Sequence, residues 1–388
     1  MKILIINDKY SCGGAEIYVN NLKKVLKDNG NIIKIICFDK DFSLKQKDEE
    51  LINLKHYTKF DKLILNLYLY KKIRKVLKEF NPNIIILNNI NISPITILKS
   101  IVGYKTIQIV HDFGIICPKI TCIFNNKEIC NGYKESNCKK ECVKTMSKSR
   151  LLLYQIRKVE RLRKKYVCKF ISPSKNLNKH LLKYGYDSIC INNPIEIQNK
   201  EKEIFKDITR KYIYVGDVNA RKGILEFIEI FNEFSKNKNV SLSIVGNIRA
   251  REDSEKIEII IKSNKKITYL GKLKNEDILK LIREYDFCVV PSICVDNYPT
   301  TVLEAMANKV LALGSNRGGI VELLDNNRGY LFDILKKGSV IDILERTYSM
   351  SREEYIKIIE NAYNYVKENN SMRNYYLKLK EVLEEINE

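Results

Sequence analysis

The sequence predicts an α/β protein made of two Rossmann-like domains, each a parallel sheet covered by helices. Short apolar runs alternate with longer amphipathic stretches, the pattern of buried strands joined by crossover helices. That alternation runs twice, on either side of a polar segment, Ile191–Asp207. The chain has 388 residues, enough for about two domains of ordinary size. A hydrophobic content of 45% belongs to a globular chain and not to a disordered one.

In the first half, Ile3–Ile6, Ile32–Phe38, Ile84–Leu87, Thr106–Val110 and Phe170–Ser172 read as strands. Between the first two, Ala15–Gly30 reads as a helix. Its Ile17, Leu22, Val25 and Leu26 share one face, and Gly30 is a C-terminal stop. In the second half the strands are Tyr212–Val215, Ser241–Val245, Ile267–Leu270, Phe287–Val290 and Val310–Leu313. Gly223–Lys236 and Asn275–Tyr285 read as helices between them. The polar segment with Asn193-Pro194 is the linker, so the domains are 1–192 and 208–364. The tail from Arg352 to Glu388 is helical and charged.

A net charge of +21 favours anionic partners such as a phosphorylated substrate, a membrane surface or nucleic acid. Lys71–Lys78 is one basic cluster and Arg150–Lys165 a larger one. In the latter, Leu152, Leu153, Ile156, Val159 and Leu162 form an apolar stripe among Arg157, Lys158, Arg161, Lys164 and Lys165. The stripe either packs on its own domain or attaches the protein to an anionic leaflet. No stretch reaches the ~18–20 apolar residues of a membrane span. The start, MKILIIND, is too short an apolar run for a signal peptide. The expectation is a cytoplasmic protein, peripheral at the inner membrane face in the second reading, with its thiols reduced.

Of 11 cysteines, five cluster: Cys117, Cys122, Cys130, Cys138 and Cys142. No CxxC is among them. A loop-rich insert of this length, 117–142, calls for a function or a staple. A structural zinc on Cys117, Cys130, Cys138 and Cys142 is one reading, and free thiols in a packed loop the other. Cys37, Cys168 and Cys288 sit in strand-like runs and read as small core residues.

The chemistry concentrates where strands end. Phe287–Val290 stops at Pro291, and after a loop Pro299 opens a helix with Val302, Ala305 and Met306 on one face. Free N–H groups and the helix dipole at such a start favour phosphate, and Thr300 and Thr301 add hydroxyls there. Glu304 follows about 7–8 Å into the helix, the separation of a diphosphate from its ribose. A carboxylate only accepts hydrogen bonds, which suits sugar hydroxyls. Asp296 is a second carboxylate in the loop. Gly216-x5-Lys222-Gly223 follows the strand Tyr212–Val215, where a lysine suits a diphosphate. Gly13-Gly14-Ala15-Glu16 follows the first strand, Gly246-Asn247 follows Ser241–Val245, and His111-Asp112 closes Thr106–Val110.

Asp296-x7-Glu304, with LEAMA and the later GGIVE (Gly318–Glu322), resembles the paired-acid signature of the family 4 retaining glycosyltransferases. The likeness extends over nearly the whole chain. It implies the GT-B fold: two facing Rossmann-like domains, an inter-domain cleft, and a C-terminal helix, here 365–388, crossing back to the first domain. It implies transfer of a sugar from a UDP- or GDP-sugar to an acceptor hydroxyl with retention, and no cofactor beyond that donor. By resemblance, Lys222 and Arg221 with the helix at Pro299 hold the diphosphate, and Glu304 holds the ribose. Asp296 takes the donor sugar's hydroxyls, and His111 orients that sugar. Gly13, Gly14, Gly216, Gly246, Asn297, Tyr298, Thr300 and Thr301 line the donor, with Glu16 on the acceptor side. The family has arginine where this chain has Asp217, which makes Arg221 the substitute cation. The acceptor implied is a glycan or lipid-linked glycan of a surface polysaccharide such as capsule or lipopolysaccharide. A nucleotide-sugar epimerase shares the fold. A non-catalytic nucleic-acid or metal-binding protein would suit the charge and cysteines, although no nucleic-acid motif is present.

Overall fold

The computed structural model describes residues 1–8, 14–38, 50–54, 61, 63–117, 120–124, 128–130, 138, 149–197, 208–248 and 250–388, with backbone alone at 14–17 and 149–155. Two units result. One comprises Met1–Cys122, Asn131–Pro194 and Met372–Glu388, the other Ile123–Cys130 and Ile195–Ser371.

The first unit holds β1 (Lys2–Ile6), β2 (Ile32–Cys37), β3 (Leu51–Asn53), β4 (Ile84–Leu87) and β5 (Thr106–Ile109). A short antiparallel hairpin follows, β6 (Ile123–Phe124) and β7 (Glu128–Ile129), and then β8 (Lys169–Ser172) and β9 (Ser188–Cys190). Seven strands form one parallel sheet in the order β3-β2-β1-β4-β5-β8-β9. Strand order reverses between β1 and β4, which makes their carboxyl ends the switch point where ligands bind in such sheets. Ile3, Ile5, Ile84, Ile86 and Ile107 pack with Leu22 and Leu26 of the helix Gly14–Asp28 and with Leu379 and Leu383 of the last helix, Met372–Asn387. The hydroxyls of Tyr18 and Tyr375 also bond these two helices together.

The second unit repeats the plan with β10 (Lys211–Val215), β11 (Ser241–Val245), β12 (Ile267–Gly271), β13 (Phe287–Val290), β14 (Leu311–Ser315) and β15 (Tyr330–Phe332). The order is β12-β11-β10-β13-β14-β15, all parallel, with the reversal between β10 and β13. Phe227, Phe231, Phe287 and Phe332 fill one face, and Val302, Met306, Ile320 and Leu323 the other.

Every strand read from the sequence is present, most with ends within a residue. Five more are present, β3, β9 and β15 with three residues each at sheet edges and the two-residue β6 and β7, all too short to carry a periodic signal. The tail is two helices, Arg352–Asn369 and Met372–Asn387, and only the second groups with the first unit. The crossing therefore begins at Met372 and not at Tyr365. At the break, the Ile195 N–H donates to the Asn370 carbonyl at 2.8 Å, so the two segments leaving the second unit run side by side. The hairpin at 123–130, expected with the first domain, groups with the second unit.

In the basic helix Ser149–Tyr166, Val159 is buried and Ile156 and Leu162 are half-buried, while Arg157, Arg161, Lys164 and Lys165 are exposed. The described part of the stripe therefore packs on its own domain, while the side chains of Leu152 and Leu153 lie outside what is described. Cys168, read as core, is exposed, because it precedes β8 and lies outside the sheet.

Candidate functional site

In the second unit the site is assembled by the turn after β10 and the loop after β13. A 3-10 turn, Ala220–Lys222, is capped by the Asn219 side chain, which accepts from the Arg221 N–H at 3.1 Å. The Arg221 carbonyl then accepts from the N–H groups of Ile293 and Cys294 at 2.9 and 3.0 Å, docking the turn on the loop. Gly223 allows that approach. Its φ is +63°, and a Cβ there would lie 2.0 Å from the Pro291 carbonyl oxygen. Gly223→Ala should therefore displace Lys222 and lose at least about 2 kcal/mol of stability, from backbone strain of about 1–3 kcal/mol plus the clash. Thermal melts with and without nucleotide would check both effects.

The loop from Pro291 to Tyr298 is clamped along its length. Ser315 Oγ donates to the Ser292 carbonyl, and Arg317 Nη1 to the Ile293 carbonyl, both at 2.7 Å. The Gly319 N–H donates to the Asp296 carbonyl at 2.7 Å. A side chain at 319 would strike the Asn297 carbonyl, 1.7 Å from its Cβ. The glycines of GGIVE thus act as close-approach points for the acidic loop.

These clamps place Asp296 against Lys222. The Nζ lies 2.9 and 2.8 Å from the two carboxylate oxygens. Ser292 Oγ donates to Oδ2, and Cys294 Sγ lies 3.7 Å from Oδ1. Burial opposes ionisation of Asp296, but Lys222 with these two donors outweighs it and holds the carboxyl below its usual range. Burial likewise works against the Lys222 charge, and Asp296 outweighs it, holding the ammonium above its usual range. Two groups that the resemblance assigns to different parts of a donor are paired with each other here. Arg221 is exposed on the same turn, beside Lys222.

Pro299 lies just outside the helix. It is the N-cap, with ψ at 125°, and Thr300–Ala307 is helical. The difference is one residue: the Pro299 carbonyl accepts the first helical bond, from the Val302 N–H at 3.2 Å. Thr300 and Thr301 are half-buried in the first turn, and Thr301 Oγ1 lies 3.4 Å from the Val215 carbonyl. Glu304 is only 7% exposed. Burial raises its carboxyl to about 7, and no ion pair or hydrogen bond among the described residues offsets that rise. This suits a carboxylate that receives donors from a ligand. Gly216 and Gly246 end β10 and β11, the Gly216 N–H donating to the Val245 carbonyl at 2.9 Å. Asn297 is buried, and Tyr298 packs into the core with its hydroxyl 3.2 Å from Asn370 Nδ2. The Tyr298 ring is therefore structural, and only its main chain is available to a donor.

In the first unit, His111 follows β5 and joins a chain of amides at the switch point. The Asn89 N–H donates to Asn7 Oδ1 at 3.2 Å, which identifies that atom as an acceptor. Asn88 Nδ2 donates to the same oxygen at 3.1 Å, so Asn88 Oδ1 is an acceptor too. His111 Nε2, 2.7 Å from Asn88 Oδ1, must then carry the proton, and Nδ1 is the accepting nitrogen. Burial lowers the His111 pKa to about 4, so the ring is neutral at pH 7. Tyr18 meets it edge to face at 4.6 Å. Asn7 and Asn88 were not anticipated, although each directly follows an apolar strand run. Ser292, Cys294 and Arg317 were missed because their roles depend on loop geometry.

Gly14 begins the first helix. Gly13, Cys142 and the side chain of Glu16 lie outside what is described. Cys117, Cys130 and Cys138 lie among the described residues, Cys138 buried and the other two half-buried. Among the described residues no group of three or more His, Cys, Asp or Glu is arranged to hold a metal. Cys142, the fourth member of the expected zinc set, lies outside the described residues.

Two parallel Rossmann-like sheets, with a lysine–carboxylate pair and a buried glutamate at the carboxyl ends of one, define a glycosyltransferase of the GT-B fold. The sequence profile of Glycosyltransferase Family 4 matches residues 12–199, and that of Glycosyl transferases group 1 matches 196–365. Between them they span nearly the whole chain, which belongs to this family. A lipopolysaccharide 1,2-N-acetylglucosaminetransferase of Salmonella typhimurium is 27% identical over 180 residues, 44% of this chain and 46% of that protein. The match thus spans about half of that relative's length. Among solved structures, sucrose-phosphate synthase of Thermosynechococcus elongatus superposes with a TM-score of 0.76 at 16% identity, covering 99% of this chain and 98% of that one. HepE of Anabaena in complex with UDP gives a TM-score of 0.75 at 16% identity, covering 99% and 100%.

Proposed function

We propose that this protein is a retaining glycosyltransferase that moves a hexose from a UDP-sugar to a hydroxyl of a lipid-linked glycan in surface-polysaccharide biosynthesis. The observation that carries the reading is Glu304, a nearly buried carboxylate on the helix that follows the Lys222–Asp296 loop. It offers a ribose an acceptor about 6 Å along the helix from the Thr300 turn, where Lys222 and Arg221 would hold the diphosphate. The leaving diphosphate would be stabilised by those cations and helix N–H groups, with no protein-bound metal required in the step. HepE has been solved with UDP and with UDP-glucose, which favours uridine over guanosine. The Salmonella relative, by its name a lipopolysaccharide transferase, favours a glycan acceptor.

Thermal stability against UDP, GDP and ADP tests the donor. A ligand at 100 times its Kd stabilises by about 2.7 kcal/mol. UDP should raise the Tm most, and the anomeric configuration of the product, read by NMR, should match the donor's. A shift with GDP alone would change the donor base. No shift with any nucleotide on folded protein would overturn the reading.

A further inference from the structure

We infer that the outward face of the helix Leu67–Phe80, together with the residues just before it, docks on an anionic lipid surface. Four large apolar side chains lie open within five positions: Ile64 is 56% exposed, Leu65 38%, Leu67 63% and Tyr68 53%. Leu67 and Tyr68 lie off the buried face of the helix, with Lys72 Nζ 5.4 Å from the centre of the Tyr68 ring. Its buried face is Leu69, Ile73, Leu77 and Phe80. At about 100° per residue, Leu67, Tyr68, Lys71, Lys72, Lys75 and Lys78 fall on the opposite arc. That arc carries four lysines against Glu79, and Lys75 meets Glu79 only at 3.7 Å with both side chains mostly exposed. An apolar end followed by a lysine-lined flank is the arrangement that inserts into the headgroup region of an anionic leaflet.

The apolar end also has a defined place. The Asn66 N–H donates to Thr96 Oγ1 at 3.0 Å, in the helix Pro94–Ser100 that leaves the carboxyl end of β4. A crossover helix runs antiparallel to its strands, so Ile64–Tyr68 lie at the edge of the first sheet that carries Asn88 and His111. In the basic helix Ser149–Tyr166, by contrast, Val159 is buried and Ile156 and Leu162 are half-buried among the described side chains. Charge selects the occupant. A second copy would bring lysines against lysines, and a nucleic acid would match the lysines but not four open aliphatic and aromatic groups.

The inference rests on the reading of a lipid-linked acceptor only for its purpose, and it is measured without donor or acceptor. The full chain would be co-sedimented with phosphatidylcholine vesicles with and without phosphatidylglycerol. Binding should require phosphatidylglycerol and weaken with salt. Reversing Lys71, Lys72 and Lys75 to Glu should weaken it on the order of 100-fold. Leu67→Ser with Tyr68→Ser, which leaves the charge unchanged, should also abolish sedimentation. Arg157→Glu, Arg161→Glu and Lys165→Glu, an equal charge change elsewhere, should reduce binding much less. Stabilisation by UDP should persist in all variants, which keeps this test separate from the donor reading. Equal loss from both charge reversals, or none from the Leu67 and Tyr68 change, would reduce the effect to adsorption of a basic protein and overturn the inference. A dimer that the Leu67 and Tyr68 change dissolves, or nucleic-acid binding lost on reversing the lysines, would reassign the face and overturn it as well.

Discussion

Glu304→Gln should raise the melting temperature of the free protein above pH 7 and weaken its donor binding. In the folded chain burial lifts this carboxyl from 4.5 to about 7. Between those pH values the unfolded chain releases a proton that the folded chain keeps, so stability falls as pH rises through that window. The loss is complete above about pH 7 and amounts to about 3 kcal/mol, at about 1.4 kcal/mol per pH unit. Glutamine removes the ionisation and hence the loss. The two proteins should melt alike near the acid end of the window and diverge at pH 8. Donor binding should move the other way, because hydroxyls bond a carboxylate more strongly than an amide. Losing a charge-assisted bond of about 1.5–3 kcal/mol raises Kd roughly 10- to 100-fold. Melts at both pH values and titration calorimetry with UDP would measure the two effects. If UDP affinity were unchanged, Glu304 would not be the ribose ligand. If melting showed no divergence with pH, the carboxylate would not be desolvated.

Lys222→Ala should destabilise the fold and remove diphosphate binding. The substitution strips Asp296 of its counter-ion and leaves Ser292 and Cys294 as its side-chain donors. Breaking a fully buried pair costs about 3–5 kcal/mol. Lys222 keeps 33% of its side-chain exposure, so about 2–3 kcal/mol at pH 7 is expected. The pH dependence identifies the cause. In the wild type the depressed Asp296 pKa contributes stability that is present above its ordinary range and lost as pH falls through the depressed value. In the variant burial dominates and the carboxyl titrates higher, so the gap between the proteins should close on acidification. Lys222→Ala with Asp296→Asn should recover part of the stability and none of the UDP binding. Recovery of binding in the double variant would mean that Lys222 does not hold the diphosphate. Equal destabilisation at all pH values would mean that packing, not charge, is what the lysine provides.

Much of the site could be read from residue order because its parts follow strand ends. His111, Gly216, Gly246 and the Pro291–Glu304 segment all directly follow apolar runs that proved to be strands. Their positions at the carboxyl edges come with the parallel topology. Side-chain direction was not readable in that way. Tyr298, placed at the donor from the motif, turns into the core toward Asn370. In the Arg150–Lys165 stripe the burial of Val159 shows which side of the helix packs, which residue order alone does not give. The helix Leu67–Phe80 drew notice for its lysines, while its open leucine and tyrosine could be recognised only from exposure.

The two α/β halves and their ten main strands were determined by the sequence itself. A strand buried on both faces of a parallel sheet must be an apolar run whatever surrounds it. Only the tertiary structure decided that Lys222 and Asp296, 74 residues apart, neutralise each other. The same holds for the amide chain Asn89–Asn7–Asn88 that sets the proton on His111, and for the glycines at 318 and 319 that seat the acidic loop. Such contacts join residues distant in the chain through single hydrogen bonds and close approaches. They leave no periodicity behind, so nothing in the order of residues announces them before the fold brings them together.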